Sequence, residues 1–212
     1  MVAPSLRILA LVTDAFGGHG GIAQYNRDFL SALARCKGIS ETVVLPRAGT
    51  ALPGTLPSGI RQFSPVAGRI SYSLAALWSA RDRPIHIVFC GHIFMAPLAI
   101  IVARLLGARL WVQVHGVDAW LELPWLYRRA VEGADLITSV SRYTRRRLLE
   151  WIGIDPAKVK VLPNTVDPRF RPGPRPRCLL DRHSLHGKKV IMTVSRMAVR
   201  FSVLRATMPY FF

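Results

Sequence analysis

The sequence predicts an α/β protein built on a doubly wound parallel sheet, with only the first strand of a second lobe after it. Three observations predict this. Short apolar runs alternate with amphipathic stretches from residue 6 to residue 197. Most of those runs are continuously apolar, as in strands whose two faces are both covered by helices. The composition then breaks at Pro163, where Pro163, Pro168, Pro172, Pro174 and Pro176 sit among arginines before an apolar run resumes at residues 188–194.

The first strand is predicted over residues 7–13. Its apolar run, Ile8 to Val12, is too short for the core of a signal peptide. A helix follows over 22–34, with Ile22, Tyr25, Phe29 and Leu33 on one stripe and Gln24, Arg27 and Asp28 pointing away. Strands at 42–45 and 59–63 precede a helix at 70–80. Residues 84–103 carry no formal charge and have the length of a membrane span. Gly91 and Pro97 interrupt them, so they read as a strand at 85–89, a turn, and a helix over 96–106 with Pro97 in its first turn. Strands at 110–115, 136–140 and 159–162 alternate with helices at 124–132 and 142–152. Right-handed crossovers then close a Rossmann-like lobe over residues 1–162. Residues 163–187 read as a Pro/Arg-rich linker and 188–197 as the start of a second domain. Residues 198–212, with Phe201, Tyr210, Phe211 and Phe212, follow no helical or strand period, and the expectation is a chain truncated after Met197.

Half of the 212 residues are hydrophobic, enough for a sizeable core. Cys36, Cys90 and Cys178 are odd in number and widely spaced, which argues against a disulfide framework and for a cytoplasmic protein. His183 and His186 follow Cys178 but lack a fourth ligand, so no metal site is expected. The net charge of +17 comes from 24 arginines and 5 lysines against 12 acids. Such a balance invites nucleic acid or an anionic membrane surface. No nucleic-acid-binding module appears. The densest basic patch, Arg142, Arg145, Arg146 and Arg147, extends toward Trp120, Trp125, Arg128 and Arg129, so a peripheral place at the inner membrane surface is the expectation.

Two stretches can carry chemistry. Between the first strand and first helix lie Gly17, Gly18, Gly20 and Gly21, where backbone can approach a ligand and a helix N-terminus favours phosphate. Gly18, Gly20 and Ala23 also satisfy the dinucleotide fingerprint. The loop starts late, however, and Pro46-Arg47 stand where a ribose-binding acid belongs. His115 and Asp118 end a central strand and point at the same crevice, where a histidine can bind a hydroxyl or move a proton and a carboxylate can orient it. Cys90-Gly91-His92 ends the neighbouring strand, without an acid beside it. A structural turn and a histidine satisfied by backbone remain the alternatives.

The glycine loop followed by Ile22-Ala23-Gln24-Tyr25-Asn26 resembles family 4 glycosyltransferases. So, in order, do His115-Gly116-Val117-Asp118, Val140-Ser141, the turn Val161-Leu162-Pro163-Asn164-Thr165-Val166-Asp167-Pro168-Arg169-Phe170, and Thr193-Val194-Ser195-Arg196. The resemblance implies two facing Rossmann-like lobes, with acceptor bound mainly by the first and a nucleotide-sugar donor by the second. It implies transfer of a sugar to a glycan, lipid or small-molecule acceptor, with the nucleotide-sugar as substrate and no separate cofactor. Carried over by position, Gly17, Gly18, Gly20, Gly21 and Arg196 meet the donor phosphates. His115 and Asp118 are catalytic, and Tyr25 and Asp118 serve the acceptor side. The family's lysine soon after Ser195-Arg196 and its later glutamate pair are missing, so the chain is expected to be inactive alone. A basic membrane-surface or anion-binding module is the alternative, and a dinucleotide-dependent enzyme is third.

Overall fold

The computed structural model describes residues 5–49, 54–79, 84–167 and 170–192. Seven parallel strands form one sheet: β1 Leu6–Val12, β2 Ile39–Pro46, β3 Ile60–Gln62, β4 Ile87–Cys90, β5 Arg109–Val114, β6 Leu136–Ser139 and β7 Val159–Val161, in the order β3-β2-β1-β4-β5-β6-β7. The helices are α1 Gly21–Ala34, α2 Arg69–Ser79, α3 Ala96–Leu105, α4 Trp125–Glu132, α5 Arg142–Leu149 and α6 Arg177–Arg182. This is the predicted α/β class, and each of the seven predicted strands and first five helices is present within a few residues.

Strand order explains where the helices lie. The chain moves outward from β1 to β3, then crosses back to β4 and continues the other way. Right-handed crossovers therefore put α1 on one face of the sheet and α2 to α5 on the other. Side-chain alternation along β1 follows. Ile8, Ala10 and Val12 pack with Leu30 of α1 and with Phe89, while Leu9 and Leu11 join Tyr72, Ala76, Ala99 and Val102 in the opposite layer. Two-sided burial is the physical reason β1 is apolar throughout. On the α1 face at β5 and β6, however, polar Gln113 and Thr138 stand buried side by side.

The stripe of α1 differs from its prediction. Ala23, Tyr25, Asn26 and Leu30 are its buried residues, while Ile22, Phe29 and Leu33 are half-buried flanks. The axis of burial is turned toward the small Ala23 and the polar Asn26, which hydrophobicity alone does not mark.

The chain divides into two units, Met1–Thr165 and Val166–Phe212. The second contains α6, in which no residue is buried, so no apolar period announced it. Residues 190–192 take no strand, and Ile191 and Met192 are 97% and 80% exposed. A strand needs a ladder partner, and none pairs with these described residues. Residues 193–212, including Arg196, lie outside the described residues.

Leu30 is wholly buried where α1 meets β1, β2 and β4. Leu30→Ala is expected to destabilise the first unit by roughly 2–5 kcal/mol, measured as a lower midpoint in urea unfolding.

Candidate functional site

The strand order reverses between β1 and β4, so the loops leaving their carboxyl ends part in opposite directions and open a crevice. The glycine loop lies on one side of it. Gly17 and Gly20 hold φ of 100° and 102°, values that strain any side chain. At Gly18 a Cβ would meet the Asp14 carboxylate, so a side chain there would displace that carboxylate. Gly21 meets no such demand. Gly20 caps α1 without a side-chain hydrogen bond, and no acid sits in the first turn. The first N–H groups and the positive end of the helix dipole therefore face the loop.

Three side chains fix this loop by its carbonyls and one amide. Gln62 accepts from the Phe16 N–H at 3.1 Å and donates to the Phe16 carbonyl at 2.6 Å. Asn26 donates to the Asp14 carbonyl at 2.7 Å. Arg27 Nη1 donates to the carbonyls of Ala15 and Gly18 at 2.8 and 2.7 Å. The sequence reading turned Arg27 away from the protein. Helical side chains lean toward the N-terminus, however, and that direction brings a second-turn arginine back over the loop.

The histidines stand on the other side of the crevice. Gly91, just past β4, donates to the Leu11 carbonyl at 2.8 Å, and a Cβ there would come 2.8 Å from Val12 Cγ1. His115 Nε2 lies 2.9 Å from the Gly91 carbonyl. It must donate there, which leaves Nδ1 of the neutral ring as an acceptor. The His115 amide donates to Asp118 Oδ2 at 3.2 Å, and Asp118 is 8% exposed in the turn Val117–Ala119. Tyr25 meets the His115 ring edge-on at 5.0 Å, and its hydroxyl donates to Gln113 Oε1 at 2.9 Å. Gln113 accepts from Thr138 as well, and Thr138 accepts from Trp111 Nε1. His92 lies 6.0 Å from His115 and stacks on Phe94.

The structure thus gathers Tyr25, Gly91, His92, His115 and Asp118, and α1 links them to the glycine loop through the neighbouring Tyr25 and Asn26. Its polar groups are the N–H donors at the start of α1, the His115 imidazole and the Asp118 carboxylate. β2 ends at Pro46 and Arg47 follows, with no carboxylate of the kind a dinucleotide ribose requires.

The predicted basic patch is less available than its sequence suggests. Arg145 donates to the carbonyls of Val159 and Pro156, both at 2.8 Å. Arg147 pairs with Glu150 and donates to the Trp120 carbonyl, while Arg128 pairs with Glu122 and Glu132. Arg142 and Arg146 remain exposed, with Arg146 over the Tyr143 ring. Among the described residues no helix is long and apolar enough to cross a membrane.

Residues 19–170 match the profile described as Glycosyltransferase Family 4. Over 215 aligned residues the chain is 31% identical to a GDP-mannose-dependent alpha-(1-6)-phosphatidylinositol monomannoside mannosyltransferase of Mycobacterium tuberculosis, covering 92% of this chain and 54% of that protein. A Mycolicibacterium smegmatis protein of the same description is 36% identical over 113 residues, or 50% of this chain and 30% of its own length. The chain therefore spans about half the length, or less, of these relatives. Alr3699/HepE of Anabaena, solved with UDP-glucose, shares the fold with a TM-score of 0.54 at 15% identity, over 76% of this chain and 44% of that one.

Burial holds the His92 pKa below the ordinary histidine value, and the nearby His115 adds to this, while Asp118 opposes it. The neutral ring also accepts from the Phe94 N–H at 3.3 Å, a bond protonation would remove. A lowered folded-state value means the unfolded chain takes up the proton first. Stability is therefore expected to fall as pH drops below about 6.5. In His92→Asn, whose carbonyl can keep the bond, thermal melting between pH 7 and 5.5 should show a shallower decline than the parent.

Proposed function

The chain belongs to glycosyltransferase family 4, and from that premise we propose that it supplies the acceptor-side lobe of an enzyme moving a sugar from a nucleotide-sugar to an acceptor. One observation carries the proposal. The His115–Asp118 turn, inside the matched span, and the glycine loop at its leading edge face one crevice at the switch point of the sheet.

In this reading the sugar's bond to the diphosphate breaks and a bond to the acceptor oxygen forms. The acceptor hydroxyl loses its proton, and the diphosphate leaves with the electron pair. Gly17, Gly18, Gly20 and Gly21, with the first N–H groups of α1, receive its charge, and Arg196 neutralises it with a permanently charged fork. His115 sits beside the transferred sugar, held by Gly91. Asp118 orients that turn and, with Tyr25, serves the acceptor side. Tyr25 does so through the ring it packs against His115.

Residues 1–162 make up this lobe, 163–187 the linker, and 188–197 the opening of a donor-binding lobe, with 198–212 as an aberrant tail. The mycobacterial relatives are named for GDP-mannose and a phosphatidylinositol monomannoside, so a nucleoside-diphosphate mannose and a glycolipid headgroup are the substrates this reading favours. Such an acceptor puts the protein at the cytoplasmic surface of an anionic membrane. The three free cysteines, two of them exposed, suit a reducing compartment. A basic surface-binding module is the second reading, favoured by exposed Arg142 and Arg146.

The 212 residues by themselves are expected to show no transfer from GDP-mannose to glycolipid. Turnover that His115→Ala abolishes would overturn that expectation. Residues 1–187 joined to the second half of the M. tuberculosis relative should transfer mannose, and His115→Ala should lower the rate by roughly a hundredfold or more. A chimera that folds and binds donor, yet is indifferent to His115, would sink the assignment.

A further inference from the structure

We infer that His92 is a substrate-binding residue which, with His115, selects a neutral hydroxyl-bearing ring over a phosphorylated one at the acceptor end of the crevice. The tautomer of His92 follows from its place in the chain. It caps the short turn Ile93–Met95, and its Nδ1 accepts from the Phe94 N–H at 3.3 Å. The neutral ring therefore carries its proton on Nε2. Phe94 stacks on that ring with centroids 5.2 Å apart, which fixes its plane. Among the described residues nothing accepts from this Nε2–H, and the nitrogen is not one of the buried side-chain atoms left without a partner, so it reaches the surface of the crevice. His115 presents the converse. Its Nε2–H is used on the Gly91 carbonyl, so Nδ1 is the acceptor, and that atom too is neither partnered by a described residue nor buried.

Two rings with centroids 6.0 Å apart thus offer one donor and one acceptor, and the Asp118 carboxylate is near enough to bias the protonation of His92. Burial keeps the His92 ring neutral near pH 7, so both rings hold these roles there. A hydroxyl is the complement of such a set, because its oxygen accepts one hydrogen bond and its proton donates another. Neighbouring hydroxyls of a sugar or cyclitol ring can divide the two histidines between them. A phosphate ester, mostly dianionic at neutral pH, has almost no proton to give. It would accept from His92 but set its oxygens against the His115 lone pair and the Asp118 charge, a repulsion that partial burial strengthens. Anions are served instead at the glycine loop, by the N–H groups that open α1. Tyr25 adds no competing polar group, since its hydroxyl is given to Gln113. Folding does not call for this imidazole either, because an asparagine caps such a turn as well. The Nε2–H is what histidine adds. The inference deepens the acceptor-lobe reading above and rests on it for its biological sense.

Histidine-selective proton–nitrogen NMR of the 212-residue chain at neutral pH tests it, with methyl α-mannoside, myo-inositol and inorganic phosphate as probes. His92 is expected in its Nε2–H form. The His92 Nε2 and His115 Nδ1 resonances should move with at least one of the two ring polyols at millimolar concentration, and phosphate should leave both in place. His92→Asn, which keeps the turn capped, should melt at the parent's temperature and lose the polyol response at His115. In the chimera it should raise the glycolipid KM about tenfold, as loss of one hydrogen bond does, while the GDP-mannose KM stays within about twofold. The proposal is overturned by an Nδ1–H tautomer at His92, or by resonances that phosphate moves or that neither polyol moves. It is equally overturned by an asparagine variant that melts lower, still responds at His115, or keeps its glycolipid KM. The resonances need neither a donor lobe nor turnover, so their failure leaves the glycosyltransferase reading standing. A chimera that transfers nothing leaves the polyol site standing, to be judged on the resonances alone.

Discussion

The handedness of the β-α-β crossover is the constraint on which the rest of this structure depends. A right-handed connection that moves outward from β1 and then reverses must place α1 on one face and the later helices on the other. The reversal leaves the carboxyl ends of β1 and β4 with no loop bridging over them, and a crevice opens there. The glycines follow from that geometry. Gly91 passes so close to the buried Val12 that a side chain has no room. Close packing at the switch point selects Gly91 before any ligand is considered.

Within the crevice, the polar groups divide into those that build and those that face outward. Gln62, Asn26 and Arg27 engage carbonyls of the glycine loop, which would otherwise compete for the N–H donors at the start of α1. Donors fixed in this way need no rearrangement when an anion arrives, and that preorganisation is where such sites gain most of their effect. The histidine side works similarly. The Gly91 carbonyl accepts from His115 Nε2–H, Asp118 accepts from the His115 amide, and Tyr25 closes one edge of its ring. Tyr25 is itself held at Gln113, and burial raises its pKa well above the ordinary phenol value, so it stays neutral. Cys90, buried one residue before Gly91, is likewise pushed up to about 12 and stays a thiol. The imidazole is therefore oriented by neutral neighbours and one carboxylate.

How much of this was legible in the sequence depends on whether the signal was periodic or directional. Continuous apolar runs located the central strands, because two-sided burial leaves a mark at every residue, while the edge strands β3 and β7 carry polar residues and little burial. The placement of His115, Asp118 and the glycines at strand ends was legible for the same reason. Arg27 and Arg145 were not, since hydropathy treats an arginine as solvated whether its guanidinium reaches water or a row of carbonyls. The stripe of α1 was misjudged by one position because Asn26, wholly buried, carries no apolar signal. Short α6 was missed because a helix with no buried residue has no period. The strand expected near residue 190 shows the converse error: Val190, Ile191 and Met192 are apolar in the manner of a strand, but apolarity cannot supply a ladder partner.

The same logic explains why α2 stands apart from its neighbours. Residues 70–80 read in sequence simply as a helix, and only the sheet shows which half of it is buried. Tyr72 and Ala76 satisfy the core, so Ile70 and Leu74 cannot be explained by folding. β3 then becomes informative despite having only three residues. Alternation along a strand sends Gln62 to one face and Arg61 with Phe63 to the other, so the anchor of the glycine loop and the aromatic edge of α2 are consecutive residues. Their separation is one residue's rise along a strand, about 3.3 Å.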